Sequence, residues 1–172
     1  MSYTLRQIAD ALWQTGPNKS DQKEADKLYD RTRMLRDRGL IQSSQPSGQG
    51  RASTFTEADA AAALLAITAS LNGSSWGTIQ AVNQDLRKIG NTQGTPEFER
   101  QIADICEGKE IFVRLDIFNE PWAGTRATMG DAKSVSFADS PIAEGTTQVI
   151  LWPITRIAKP VLERLKASKA AN

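Results

Sequence analysis

The sequence predicts an α+β protein, in which a helical first part precedes a small antiparallel sheet. Apolar side chains recur at helical spacing over most of the first 71 residues. Residues 111–118 instead alternate between apolar and other side chains, which is typical of a strand, and two further strands are predicted after them. The sequence changes character at residues 72–75, and we therefore predict two domains, residues 1–72 and residues 73–172.

The composition excludes several classes of function. The 172 residues include no histidine and one cysteine, Cys106. A histidine-based catalytic triad, a Cys/His dyad and a zinc finger therefore cannot be built. We predict that the protein is not an enzyme and has no catalytic residue, metal or cofactor, because no glycine-rich phosphate loop or carboxylate pair stands out. The loops at residues 120–131 and 139–145 are the part left open for an enzymatic site.

The same features indicate where the protein works. No apolar run approaches the roughly 20 residues that a membrane-spanning helix needs. Arg6 and Asp10 lie where a signal peptide would have its apolar segment. The single cysteine cannot form an internal disulfide, which agrees with a reducing compartment. We therefore expect a cytoplasmic protein with no membrane partner.

Two helices separated by a turn are predicted at the start of the chain. The first spans residues 4–13, with Thr4 placed to cap it, and Gly16 and Pro17 interrupt the pattern that follows. The second spans residues 21–38, with Ser20 or Asp21 as its N-cap and Gly39 just after its end. Its apolar stripe consists of Ala25, Leu28, Thr32 and Leu35.

A loop and a third helix complete the first predicted domain. Residues 42–54 are rich in Ser, Gln, Gly and Pro, and short extended flanks around this loop would make a wing. Thr56 precedes acidic residues and then the strong helix formers of residues 58–71, which predicts a third helix. Together these elements predict a winged helix-turn-helix.

The second predicted domain contains a helical hairpin, the sheet and a last helix. The hairpin helices are predicted at residues 75–89 and 96–107, and the strands at residues 111–118, 134–137 and 148–152. Residues 121–131 and 139–145 are predicted to be loops. The last helix is predicted over residues 154–169, with Pro160 kinking it or lying in its first turn. We expect Trp76, Trp122 and Trp152 to anchor the core.

Positive charge is concentrated around the second helix and the predicted wing. Residues 31–51 contain five arginines and one acid, Asp37, although the net charge of the whole chain is only +1. Attraction to phosphates depends on the cations near them and not on the total charge, so this cluster predicts contact with nucleic acid. At about 100° per residue, Arg33 lies roughly 130° from the apolar stripe and points outward. The alternative is an ordinary solvated helix face.

Residues 3–71 resemble the MerR-type winged-helix family of bacterial transcription regulators. The opening Tyr-Thr-Leu-Arg-Gln-Ile-Ala at residues 3–9 is similar to the start of that family's first helix. Arg-Gly-Leu-Ile at residues 38–41 matches the family's exit into the wing, and Phe-Thr-Glu-Ala-Asp at residues 55–59 matches its return. The resemblance implies that Arg33 takes the position of a DNA-facing arginine.

We therefore predict a sequence-specific regulator that binds double-stranded DNA, of bacterial or phage origin. An arginine on a helix in the major groove can donate two hydrogen bonds to guanine, and a glycine-containing wing can approach the backbone or the minor groove closely. The predicted DNA-binding residues are Arg31, Thr32, Arg33, Arg36, Arg38, Ser47 and Arg51. Arg33 and Arg51 are the principal ones.

Two questions remain open at the level of sequence. Paired half-sites favour a homodimer, because one small winged helix makes few contacts with an operator. The second domain is expected to bind an effector, to dimerise the protein, or to dock onto RNA polymerase or another regulator. The alternative function is a protein-interaction adaptor that uses the winged-helix scaffold without reading DNA.

Overall fold

A computed structural model describes residues 1–16, 21–44, 53–87, 97–118, 124–136 and 142–170. These ranges contain six helices and a three-stranded antiparallel sheet, which confirms the predicted α+β class. The elements in chain order are α1 (Leu5–Thr15), α2 (Gln22–Asp37), α3 (Glu57–Leu71), α4 (Trp76–Arg87), α5 (Glu97–Glu107), β1 (Ile111–Phe118), β2 (Gly124–Asp131), β3 (Thr146–Trp152) and α6 (Ile154–Ala170).

The first three helices begin at polar caps. The Thr4 hydroxyl accepts from the N–H of Gln7 at 3.2 Å, and the Gln7 side chain accepts from the N–H of Thr4 at 2.8 Å. Asp21 is the cap of α2, and Thr56 is the cap of α3. Gly39 has a φ of 71° just beyond the end of α2, a conformation that side chains other than glycine's rarely adopt. These caps explain why sequence patterns located the helix starts well.

Helix α3 is the centre of the fold. Twelve of its 15 residues are buried, and seven of those 12 are alanine. Because alanine side chains are small, neighbouring helices approach α3 closely, and it contacts all five other helices. Helix α6 packs on both α1 and α3. The two predicted domains therefore contribute to one buried cluster, which extends from Tyr3 to Leu165.

The sheet has the order β2-β1-β3, with both neighbours antiparallel to the central strand β1. Val113 and Leu115 are fully buried on the side of β1 that faces the core. Ile150 pairs with Leu115 and Trp152 pairs with Val113, so both lie on that same side. Trp152 is buried, as predicted for a core anchor.

One strand lies in a segment that was predicted to be a loop. The prediction of a loop at residues 121–131 is wrong for Gly124–Asp131, which forms β2 and pairs with β1 along its whole length. The predicted strand at residues 134–137 is also wrong, because its described residues form turns. The Asp131 carboxylate accepts from the N–H and hydroxyl of Ser134, which ends the strand in a turn. Pairing with β1 thus overrides the weak strand preference of glycine and small residues.

The helices of the predicted hairpin pack mainly on other elements. Helices α4 and α5 contact each other, but α4 packs more extensively on β2, and α5 on α3 and α6. Their separate partners explain why apolar spacing located both helices but did not determine their packing. Pro160 lies inside α6 and is exposed.

An ion pair is buried on the other side of β1. Arg114 and Asp116 have side chains that are 1 % and 10 % exposed, and the Arg114 Nε donates to Asp116 Oδ1 at 2.8 Å. Arg114 also donates to the carbonyl of Val135 at 3.3 Å. A charge taken out of water needs such partners, because its hydration is lost on folding. The Asp116 carboxylate and the Val135 carbonyl therefore supply partners for this buried charge.

We predict that Asp116→Ala lowers the free energy of unfolding by about 3–5 kcal/mol, because the Arg114 charge then loses its carboxylate partner in a buried site. Urea denaturation followed by circular dichroism measures the change. Asp104→Ala is the matched control, since the ion pair of Asp104 with Lys109 is exposed and its loss costs at most about 1 kcal/mol. Equal losses in the two variants would contradict the buried pair.

Candidate nucleic-acid interface

The buried stripe of α2 determines which of its residues face outward. The residues predicted for that stripe, Ala25, Leu28, Thr32 and Leu35, are all buried, and α2 packs on α1 and α3. Arg33, Met34 and Arg36 are exposed. The packing therefore presents a surface of both arginine and apolar side chains in the last turns of α2.

Arg6 joins α1 to the outer side of α2. Its guanidinium donates to Asp10 at 3.0 Å and to Asp26 at 3.1 Å, and it lies 4.7 Å from the centre of the Tyr29 ring. These contacts join the exposed sides of the two helices. They also place one positive charge beside Asp10 and Asp26, which reduces the repulsion that these two acids would exert on a phosphate backbone.

Arg33 is the predicted site residue whose charge is most available. Its side chain is exposed, and it makes no hydrogen bond or ion pair with any residue in the described part of the chain. Met34 beside it is 40 % exposed, which is unusual for a large apolar side chain in this fold. Arg33 and Met34 together form a small outward surface, and among the described residues Arg33 makes no hydrogen bond or ion pair that would stabilise the fold.

Arg31 and Thr32 have structural roles instead. The Arg31 Nε donates to the hydroxyl of Ser70 at 3.0 Å, and its Nη2 donates to the Ser70 carbonyl at 3.0 Å. These bonds attach α2 to the last turn of α3. Thr32 is fully buried, and its hydroxyl donates to the carbonyl of Leu28 at 2.8 Å. Thr32 therefore cannot reach a phosphate in this conformation, although it was among the predicted DNA-binding residues.

Arg36 and Arg38 are exposed but have neighbours. The Arg36 Nη2 lies 2.6 Å from Asp37 Oδ1, in a pair whose two side chains are both exposed. The Arg38 guanidinium lies 3.2 Å from the centre of the Trp76 ring, at the first residue of α4. A cation stacked on an aromatic ring keeps its charge while its position is restricted. Trp76 was predicted to be a core anchor, and it is half-buried beneath Arg38.

The described flanks of the predicted wing are attached to the core. Tyr3 and Phe55 exchange backbone hydrogen bonds of 2.8 Å, and both side chains are buried. The buried Asp59 carboxylate accepts from the N–H of Ser44 at 3.1 Å, from the Ser44 hydroxyl at 2.6 Å, and from the N–H of Thr56 at 3.0 Å. The side chain of Asn83 donates to the carbonyl of Leu40.

The same carboxylate therefore caps α3 and fixes the residue at which the loop leaves the core. No residue spacing indicates this second role of Asp59, because Ser44 is 15 positions away. The predicted contacts Ser47 and Arg51 lie outside the described residues.

Cys106 lies among charged side chains elsewhere in the fold. Its thiol is 3.6 Å from a Glu57 oxygen and 3.5 Å from the Lys166 ammonium, while Lys166 and Glu57 form an ion pair at 3.0 Å. Burial raises the pKa of the Cys106 thiol, and the adjacent Lys166 opposes this rise only in part. These residues connect the start of α3 with α5 and α6, so they stabilise the same helix that positions α2.

We predict different effects on the stability of the free protein for two neighbouring arginines of α2. Arg31→Ala lowers the free energy of unfolding by about 1–3 kcal/mol, because the Ser70 carbonyl and hydroxyl lose their donor. Arg33→Ala changes it by less than about 0.5 kcal/mol, because an exposed side chain without a partner contributes little. Thermal and urea denaturation of both variants test this assignment, and an equally large loss in Arg33→Ala would refute it.

Neither special structural features nor similarity to known proteins identifies the function of this chain. Among the described residues, no helix combines the length and the apolar character needed to cross a membrane. The same residues contain no group of three His, Cys, Asp or Glu side chains placed to bind a metal ion. No protein-family model matches the sequence, and no curated protein matches it either.

Proposed function

We propose that the protein is a sequence-specific regulator of transcription that binds double-stranded DNA through α2. The observation that carries this proposal is the availability of Arg33. Its guanidinium is exposed and has no partner among the described residues, on a helix whose opposite side is buried. An unpaired guanidinium on a fixed helix can make a bidentate contact with guanine in the major groove.

We further propose that α1 and α2 form the helix-turn-helix and that residues 42–54 form the wing. The bridge between Tyr3 and Phe55, together with the bonds from Ser44 to Asp59, supports a loop with both flanks attached to the helices. Residues Ser47 and Arg51 belong to this proposed wing. The resemblance of residues 3–71 to the MerR-type family gives the same arrangement.

The charge distribution along α2 supports docking by its C-terminal half. In the first half, Arg6 of α1 offsets part of the negative charge of Asp26. The exposed pair between Arg36 and Asp37 is worth at most about 1 kcal/mol, so a phosphate can replace the carboxylate at low cost. Arg38, held on Trp76, has a restricted side chain and loses less freedom when it meets a phosphate.

We propose separate roles for the predicted residues that the structure describes. Arg33 contacts base edges, and Met34 beside it offers an apolar contact to a thymine methyl group. Arg36 and Arg38 contact phosphates and fix the register on the duplex. Arg31 attaches α2 to the last turn of α3, and Thr32 is left out of the proposed contact surface.

We propose that the regulator acts as a cytoplasmic homodimer in a bacterium or phage. Two copies of α2 related by a two-fold axis would read an inverted repeat, because operator symmetry follows protein symmetry. The C-terminal part then has three candidate uses: dimerisation, effector binding, or contact with RNA polymerase or another regulator. We assign it no catalytic role.

Selection of duplexes from a random DNA pool, followed by fluorescence anisotropy with the full chain, tests the proposal. We expect one enriched motif, saturable binding, and an affinity that falls steeply as salt rises, because bound arginines displace counterions from phosphates. Binding that ignores the DNA sequence at both low and moderate salt would overturn sequence-specific recognition. It would leave the adaptor function as the better account.

Replacement of Arg33 tests its role in recognition. Arg33→Ala should weaken binding to the selected duplex by roughly 5–150-fold, or about 1–3 kcal/mol, and relax selectivity at the bases it contacts. Arg156→Ala is the control, because Arg156 on α6 is also an exposed arginine, with a side chain that is 70 % accessible and paired with the exposed Glu110. A similar loss in both variants would mean that only total charge matters, and an unchanged affinity in Arg33→Ala would exclude Arg33 from the interface.

A further inference from the structure

The two edges of the sheet differ in how they are covered. Helix α4 packs on β2, and the Asp85 carboxylate accepts from the N–H of Ala127 at 2.8 Å. The outer edge of β2 is thereby protected. Strand β3 forms the other edge, and β1 is the described element with which it makes extensive contact. An uncovered edge carries main-chain donors and acceptors that are ready to pair with another strand.

The bond to Asp85 also shows which main-chain groups of β3 point outward. Because the N–H of Ala127 meets Asp85, it points away from β1, and its pairing partner Leu115 must direct its own groups towards β3. Leu115 pairs with Ile150 in β3. The main-chain groups of Ile150 therefore point towards β1. Because the main-chain groups of successive residues in a strand point to opposite sides, the N–H and carbonyl groups of Val149 and Leu151 face away from the sheet.

Strand β3 lacks the devices that normally prevent an edge from pairing. It contains no charged residue and no proline, and its register irregularity is confined to its first half, opposite Ile117 and Phe118. Its regular half carries Leu151, which is 46 % exposed and one of few large apolar side chains at the surface of the described residues. Within the described part of the chain, this edge therefore combines outward-pointing main-chain groups with the apolar surface of Leu151, whose exposure to water is unfavourable.

We propose that β3 pairs antiparallel with β3 of a second copy of this chain, around a two-fold axis at Ile150. Val149 then faces Leu151 of the partner subunit, and the two exchange main-chain hydrogen bonds in both directions. Ile150 faces Ile150 of the partner subunit as a close pair without main-chain bonds. The two three-stranded sheets become one continuous sheet.

Charge and shape favour a second copy as the occupant of this edge. A strand without charges can lie beside itself without placing like charges opposite each other. The pairing also covers Leu151 on one side of the sheet. On the other side, a groove of about 820 Å³ between β3 and the end of α3, lined by Thr68, Asn72 and Ile150, would receive Ile150 of the partner subunit.

A dimer formed through the sheet would bring two α2 helices to one DNA site. The pairing itself rests on the edge of β3, while its use in bringing two α2 helices to one operator rests on the proposed function. Isologous pairing makes the dimer two-fold symmetric, as an inverted repeat requires.

Disulfide trapping tests the proposed register directly. In a Cys106→Ser background, Ile150→Cys should form a covalent dimer under mild oxidation, because Cα atoms of a non-hydrogen-bonded pair lie about 4.5 Å apart, within disulfide range. Leu151→Cys is the matched control. It is the more exposed position, but it faces Val149 of the partner subunit, so it should cross-link far less. Equal cross-linking at both positions, or none at Ile150→Cys in a folded protein, would overturn the register.

Sedimentation of the full chain tests the pairing without cross-links. The unaltered protein should be a dimer, and Leu151→Lys should raise its dissociation constant by at least about tenfold, because a charge then enters the interface. Leu71→Lys makes the same change at an exposed leucine of α3 that is 50 % accessible, and it should leave the dimer intact. A monomeric wild type, or a Leu151→Lys variant that stays dimeric, would overturn the pairing.

The same samples separate this inference from the proposed function. A monomer that still binds the selected duplex would exclude the β3 pairing and support DNA binding. A β3-paired dimer that ignores DNA would establish the pairing and overturn the proposed function.

Discussion

Close packing around a buried, alanine-rich helix is the constraint on which this structure depends. Helix α3 has 12 buried residues of 15, and every other helix contacts it. Alanine allows this because backbones can approach without leaving cavities between larger side chains. Asp59 and Thr56 fix the start of α3, and Arg31 attaches its end to α2. The orientation of α2, and so the direction in which Arg33 points, follows from its packing on α1 and from this attachment to α3.

Arginines in this chain have three different physical roles. Arg114 is buried and needs Asp116 to compensate the loss of hydration. Arg31 donates two bonds that attach one helix to another. Arg33 is exposed and has no partner in the described part of the chain, which leaves its charge available to a ligand. A count of basic residues treats all three alike, so only their surroundings distinguish recognition from support.

Local chemistry made most of the helices predictable. Capping residues and apolar spacing located α1, α2 and α3 to within a few residues, because both signals come from residues that are close together in the sequence. Strand β2 was missed, since its residues have little strand preference and its pairing with β1 is not local. The sheet edges could not be assigned either, because α4 covers β2 through Asp85, which is 42 positions from Ala127.

The candidate site was predictable only in outline. The outward direction of Arg33 followed from the spacing of the apolar stripe, and the structure agrees with that direction. The contact of Arg31 with Ser70 and the stacking of Arg38 on Trp76 join residues 39 and 38 positions apart, so no local pattern indicates them. The spacing of Thr32 predicted that it lies in the buried stripe of α2, whereas its hydroxyl group made it a candidate for contact with a phosphate. Burial decides between these two interpretations, because a buried hydroxyl bonded to Leu28 is not available to DNA.

Mapping of the DNA contact surface by nuclear magnetic resonance tests directly whether α2 contacts DNA through Arg33. Titration of the isotope-labelled chain with a selected duplex reports which backbone and guanidinium groups change environment. We expect the largest changes in the last turns of α2, including the Arg33 side chain, with little change along α6. Changes concentrated on α6 or the sheet, with α2 unaffected, would contradict it.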